Sequence, residues 1–543
     1  MITTPADSIE RNRLSAFWGR VTLDEIFRKT AAANPDRLAL VDAPDRSSWT
    51  GGEARQLTYA EAEREIQKLA AFYAAVGLST DHVIGIQAPN TVDTVIAFLA
   101  ALRAGLIVSP LPLHWRQKDV LEALNSLGAK GLVAADRLET RQVAHAARDV
   151  AAELFSLRFV FGLGKDIPDG LIELGPVLAE MGDDMPAPQL SRPNSAEHTA
   201  TVTWSRNGAE PMPVTRSHNQ WIAAGFMPYL ETRLPDGASI VVPYAFSGMT
   251  GVGAGLVPWL LSGGTMHLHH PTSLQRLAAH AEAVEADYVL TPGPLAEALD
   301  VRLGRKSTSI VACWSISSPQ ATTFVPRHQL VDLHVADEYA LVARLRGKSA
   351  RIHPIPLGSF GAPAGTDISA GVLEIKTEGG DNGSPHKLLA RGPMVADAGW
   401  KAGRKAGPGP LTDAAGFLRT GVSVIPVEGG LAGFGIPGEL APGAGALEGI
   451  DQIYAAYDEV TEAAAFLVDD PILGAKLHAA LVMRPGCSPD ARAFFAWLDT
   501  ERVDLAKVPT RVLMLQALPR LEDGTVDRHR LAARLQRQDR QVA

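Results

Sequence analysis

From residue 57 to residue 109 helical and strand periodicities alternate, and that alternation restricts the fold more than any other feature of the chain. Thr58 and Glu61 have capping-box spacing, so a helix is predicted to open there. Ile66, Leu69, Ala70 and Tyr73 then recur at helical spacing, and Gly77 stands where such a helix would end. His82 to Gln87 reads as a strand, about Val92 to Ala104 as a helix, and Leu106 to Ser109 as a second apolar strand. Short apolar strands separated by helices imply parallel sheets with helices packed on their faces.

At 543 residues the chain exceeds what one hydrophobic core organises, so at least two domains are expected. Its 46% hydrophobic content suits an ordered globular protein, and a net charge of −9 gives no nucleic-acid footprint. Cys313 and Cys487 are too few for a disulfide scaffold or a cysteine zinc site, which makes a reducing cytoplasm the simplest setting. The first residues lack a basic start followed by an apolar run, so no export signal is expected. The most membrane-like stretch, 92–113, is interrupted by Asp93, Arg103, Gly105 and two prolines, and no membrane span is expected.

Residues 428–449 are rich in glycine and carry two prolines, the composition of a hinge. The expected organisation is a large domain over 1–428, a hinge over 429–449 and a small domain over 450–543.

Near the end, Pro519, Arg520, Gly524 and Arg528 occur with the spacing Pro-Arg-Thr-x-x-Gly-Lys-x-x-Arg, and Thr525 stands at the lysine position. This resembles the closing motif of the acyl-CoA synthetase and AMP-dependent, adenylate-forming ligase superfamily. Leu57 to Tyr59, Gly85 to Asn90, Ala104 to Pro110, Gly358 to Pro363, Ala390 to Pro393, Asp469 to Gly474 and Lys507 to Pro509 are similar to further landmarks of it, in order, from about 20 to 535. The resemblance implies an α/β fold: a large N-terminal domain of parallel-rich sheets flanked by helices, and a small mobile α+β C-terminal domain. It implies acid–thiol ligase activity with ATP, Mg²⁺ and CoA, acting on a small carboxylic acid or an acyl-CoA, or with an acyl carrier protein as partner.

The family's nucleotide groups are changed one after another. Its phosphate loop corresponds to residues 203–213, with Ser205, Arg206, Asn207 and Gly208 as nucleotide-binding candidates. Met212 replaces the loop lysine, Glu210 adds a negative charge, and Pro213 removes a backbone donor. Two readings stand: a solvated loop that has lost ATP, or a rebuilt one in which Arg206 binds the anion. The ribose-binding Thr-Gly-Asp corresponds to Thr420, Gly421 and Val422, and valine accepts no hydrogen bond. Tyr-Gly-x-Thr-Glu aligns with residues 334–338. Asp337 takes the place of a donor to the α-phosphate, and Glu338 keeps the carboxylate that would assist Mg²⁺. The bland reading of His334, Asp337 and Glu338 is a surface loop with solvated charges. Ser315 to Pro319 falls where a segment would lie against adenine. Lys507 matches the family's own Lys-Val-Pro and is therefore no substitute for the missing lysine.

The acyl side is better kept. Pro243 to Met249, then Gly251 and Gly253, follow the family's substrate region, and Phe246 takes the place of an aromatic histidine. Trp221, Tyr244, Phe246, Met249 and His218 are the acyl-pocket candidates, with ordinary core packing as the alternative for each. Two functions are weighed. One is an acyl- or aryl-binding family member impaired in adenylation, a pseudoenzyme; the other is an active, divergent ATP-dependent carboxylate ligase with a rebuilt nucleotide site.

Overall fold

The Thr58 hydroxyl accepts a hydrogen bond from the Glu61 amide and the Glu61 carboxylate accepts one from the Thr58 amide, opening the helix Tyr59–Ala75. Ile66, Leu69, Ala70 and Tyr73 are buried along one face, and Gly77, at φ 102°, turns the chain out of the helix. The molecule is described by a computed structural model, in which residues 183–187, 189, 191, 208–209, 316–322, 362–370, 381–383, 401–411, 437, 442, 471–472, 489, 522–523 and 543 are left aside, together with the side chains of 538–542.

Val83–Gln87 and Ile107–Pro110 are wholly buried neighbours in a 7-stranded sheet whose interior is parallel. The helix Val92–Arg103 between them is buried on nearly every side, which explains its membrane-like composition. No helix of the described residues is long and apolar enough to cross a membrane.

Two antiparallel hairpins terminate the large sheets and create the site. Thr199–Ser205 and Met212–Ser217 pair at one edge of the 7-stranded sheet, and the expected phosphate loop is the connection between them. Gln329–Ala336 and Ala340–Leu345 pair at the edge of an 8-stranded sheet, with Asp337 and Glu338 at their turn. A 4-stranded antiparallel sheet brings the strand Leu418–Val424, and with it Thr420 to Val422, beside the first of these connections.

The C-terminal part is a 3-stranded sheet of Val460–Asp470, Gly474–Met483 and Val512–Leu515, packed with the helices Leu447–Ala455, Ala491–Thr500 and Arg528–Val542. Packing divides within the glycine-rich stretch: Leu431 and Phe434 belong to the large core, whereas Ala441, Ala444 and Leu447 belong to the small one.

Candidate functional site

Asp337 sits at φ 49°, in the left-handed region that Asp tolerates better than most side chains. This turn carries its carboxylate into the connection after Thr199–Ser205. One oxygen accepts from the Ser205 hydroxyl, and the other accepts from the Arg206 amide at 3.3 Å. Ser205 also accepts from the Asn207 amide at 3.4 Å and is hydrogen-bonded to Tyr339, whose hydroxyl burial pushes up to about 12. A hydroxyl and successive amides are the groups with which such a loop surrounds an anion, and here the Asp337 carboxylate holds the Ser205 hydroxyl and the Arg206 amide.

The ribose-side turn is fastened to the same loop. Asn207 Nδ2 donates to the Thr420 carbonyl at 3.1 Å, and a Cβ on Gly421 (φ 74°) would stand 2.7 Å from that amide nitrogen. The Thr420 hydroxyl donates to the Leu388 carbonyl at 2.8 Å and accepts from the Val422 amide at 3.1 Å. Val422 is buried with the apolar core. Gly208 lies outside the described residues, as does most of the segment Ser315 to Pro319.

Behind Asp337 the expectation of solvated charges is corrected. Glu338 is buried: one carboxylate oxygen accepts from the Met249 amide at 3.1 Å, and the other faces Arg216 Nη1 at 3.7 Å. Arg216 also donates to the Glu338 carbonyl, and its guanidinium lies 4.3 Å from the centre of the Trp221 ring. Burial lowers Arg216 to about 10 and pushes the Glu338 carboxyl up, with Arg216 opposing the latter shift. Sequence reasoning missed Arg216 because no local pattern marks it: its partners are a turn some 120 residues away and the Trp221 ring. Within the loop itself Ser205 is buried, Arg206 and Asn207 are partly so, and Glu210 and Met212 are exposed.

The groups present do not fit a triphosphate with Mg²⁺. The cradle's donors bind a carboxylate, Val422 offers ribose no acceptor, and a cation at the second Glu338 oxygen would stand against Arg216. Among the described residues no three or more His, Cys, Asp or Glu side chains converge as a metal site.

The acyl-side candidates are buried or half-buried. Trp221, Phe246 and Met249 lie in one buried cluster with Tyr244 at its edge. Trp221 donates to the Thr201 hydroxyl at 2.8 Å, and Tyr244 is hydrogen-bonded to Cys313. His218, buried three residues before Trp221 on the helix His218–Thr232, accepts at Nδ1 from the Leu23 amide at 3.3 Å, at the start of the helix Leu23–Ala33.

The closing turn is anchored to the small domain. Arg520 donates to the Gly524 carbonyl at 2.8 Å and to Glu462 at 2.9 Å, and Arg528 pairs with Asp451 at 2.7 Å. Thr525 is exposed. The small domain nevertheless reaches the loop. Arg206 Nη1 donates to the Gly443 carbonyl at 2.9 Å, and Arg206, Gly443, Asp504 and Lys507 line a cavity of about 10 Å³.

The AMP-binding enzyme family matches residues 27–309, more than half of the chain. The chain belongs to that family. Over 219 residues it is 30% identical to the salicyl-AMP ligase / salicyl-S-ArCP synthetase of Mycobacterium tuberculosis, covering 40% of this chain and 37% of that protein. The chain thus spans little more than a third of that relative. A probable CoA ligase, CCL9, of Humulus lupulus is 23% identical over 535 residues, 94% of this chain and 96% of its own. Among solved structures, the amide bond synthetase McbA from Marinactinospora thermotolerans superposes with a TM-score of 0.74 at 18% identity, covering 94% of this chain and 99% of that one. Mycobacterium smegmatis MbtA superposes with a TM-score of 0.62 at 19% identity, covering 98% of both chains. These superpositions establish the adenylate-forming ligase fold over nearly the whole chain.

Proposed function

We propose that this member of the AMP-binding enzyme family does not perform ATP-dependent adenylation, and uses the scaffold to hold an acyl or aryl group. The observation that carries this reading is the Asp337 carboxylate on the Ser205 hydroxyl and the Arg206 amide. A phosphate entering there would have to displace a tethered carboxylate and would meet its charge at contact distance. Val422 and the Glu338–Arg216 pair support the same reading from the ribose and metal sides. The ligand class is a small carboxylic acid or its thioester, free or on a carrier protein, and the relatives' printed activities support that class.

Calorimetric titration with Mg²⁺-ATP tests the proposal without requiring a choice of acid. The expected result is no saturable heat for the natural chain. Asp337→Thr restores a neutral hydroxyl and frees the cradle, and is expected to show measurable though weak binding. Saturable binding of Mg²⁺-ATP by the natural chain in the micromolar to low-millimolar range would sink the reading. One observation favours the alternative, a ligase with a rebuilt site: Arg206 and Lys507 both line the small cavity beside the loop. If the natural chain binds ATP, Arg206→Ala should abolish that binding. Thr525→Lys alone is expected to give no turnover with benzoate or salicylate, ATP and CoA, because the cradle remains filled.

A further inference from the structure

A cavity of about 240 Å³ lies away from the loop and from Asp337, and none of its lining residues belongs to that site. Phe17, Phe226, Leu230 and Phe360 form apolar walls, and Phe17 and Phe226 meet edge to face with ring centres 5.5 Å apart. An apolar cavity of about 150 Å³ holds a benzene molecule, so this one has room for a substituted ring.

Two charged side chains of opposite sign, Glu231 and Arg344, stand in the same wall. No ion pair joins them among the described residues, although each is only partly exposed. One Glu231 oxygen accepts from the Leu345 amide at 2.5 Å, and the Arg344 guanidinium donates from Nη1 to the Pro354 carbonyl. The carboxylate therefore keeps a second oxygen, and the guanidinium keeps most of its five donors. A wall that presents a separate anion and cation beside aromatic faces is complementary to a ligand carrying both charges and a ring.

We propose that this cavity binds a small zwitterion with an apolar, ring-bearing side chain, of which an aromatic α-amino acid is the simplest form. The ligand's ammonium faces Glu231, its carboxylate faces Arg344, and its ring fills the space between Phe17, Phe226 and Phe360. This assignment does not rest on the reading of the nucleotide site, since its residues and its ligand are different.

The test is calorimetric titration of the full chain with L-phenylalanine, with phenyllactate, which lacks the ammonium, and with phenethylamine, which lacks the carboxylate. Saturable binding of phenylalanine is expected, with each analogue weaker by about ten- to a hundredfold, the range for a lost charge-assisted hydrogen bond. Glu231→Gln should narrow the gap to phenyllactate, and Arg344→Met the gap to phenethylamine. Ser359→Trp, at an exposed position on the rim, and Ala343→Leu, in the wall, should each abolish binding; retention of the natural far-ultraviolet circular dichroism identifies the variants that fold. Absence of saturable heat with phenylalanine overturns the proposal. So does equal affinity for all three compounds, or binding that survives in a folded, cavity-filled variant.

Discussion

Arg216 and Glu338 form a buried pair in which the two ways of removing charge have unequal consequences. Taking away one partner leaves the other desolvated and unpaired, at about 3–5 kcal/mol, whereas replacing both with apolar groups of similar shape is often close to neutral. Arg216→Met is therefore expected to destabilise the large domain by about 3–5 kcal/mol, and Arg216→Met with Glu338→Met by much less. Urea unfolding followed by tryptophan fluorescence measures both, because Trp221 lies against the guanidinium. If the single and double variants are equally destabilised, packing of the guanidinium on the ring dominates and the pair's charge is secondary. The same pair shows where sequence reasoning stops at this scale. The identities of Asp337 and Val422 point by themselves to a changed nucleotide site. That Asp337 would bind the loop itself depended on the left-handed turn and on two hairpins meeting from different sheets.

The elements were legible to the extent that their signals are local. The box at Thr58 and Glu61 fixed a helix start, and the periodicity of Ile66, Leu69 and Tyr73 fixed its buried face. The edge hairpins carry weaker signals, and a polar bridge from Asn207 to the Thr420 carbonyl ties the first of them to the third sheet. Gly421 is the element's constraint, for two reasons: its φ of 74°, and the 2.7 Å separation between a Cβ there and Asn207 Nδ2. Gly421→Ala is expected to lose about 1–2 kcal/mol from the backbone alone. It should also push the Asn207 amide out of its bond. Thermal unfolding of Gly421→Ala, and of the same change combined with Asn207→Ala, separates the two effects. Removing Asn207 relieves the clash and leaves the dihedral penalty. A fully restored midpoint in the double variant would show that the turn's dihedral carries no penalty.

Over the whole molecule, burial of histidine sets the response to acid. His114, His218, His267, His269 and His334 are all held down to about 3 or 4, in each case chiefly by desolvation. His218, His267 and His334 lie within the large domain's helices and strands, and His269, just past the strand Thr265–Leu268, has its Nδ1 3.1 Å from His280 Nδ1. An imidazole that is neutral in the folded chain and free to bind a proton in the unfolded one contributes stability that is fully present above the unfolded value, about 6.5. That stability is lost as the pH falls below it. Asp504 acts with the opposite sign. Burial pushes its carboxyl up to about 7, so it contributes stability at low pH that is lost as the pH rises through that value. The carboxyls of Asp24, Asp42, Glu65, Glu338 and Asp397 are raised too and act with Asp504, while His82, His198 and His280 are lowered like the other five. The expected balance just below pH 6.5 is a net loss, because all the histidines begin to bind protons in the unfolded chain there. Each histidine contributes at most about 1.4 kcal/mol per pH unit below 6.5. Differential scanning calorimetry at pH 7.5, 6.5 and 5.5 should therefore show little change over the first step and a fall of the large domain's midpoint by several degrees over the second. A midpoint that holds steady to pH 5.5 would mean that these rings take up protons without unfolding, and that the interior around His267, His269 and His334 admits water.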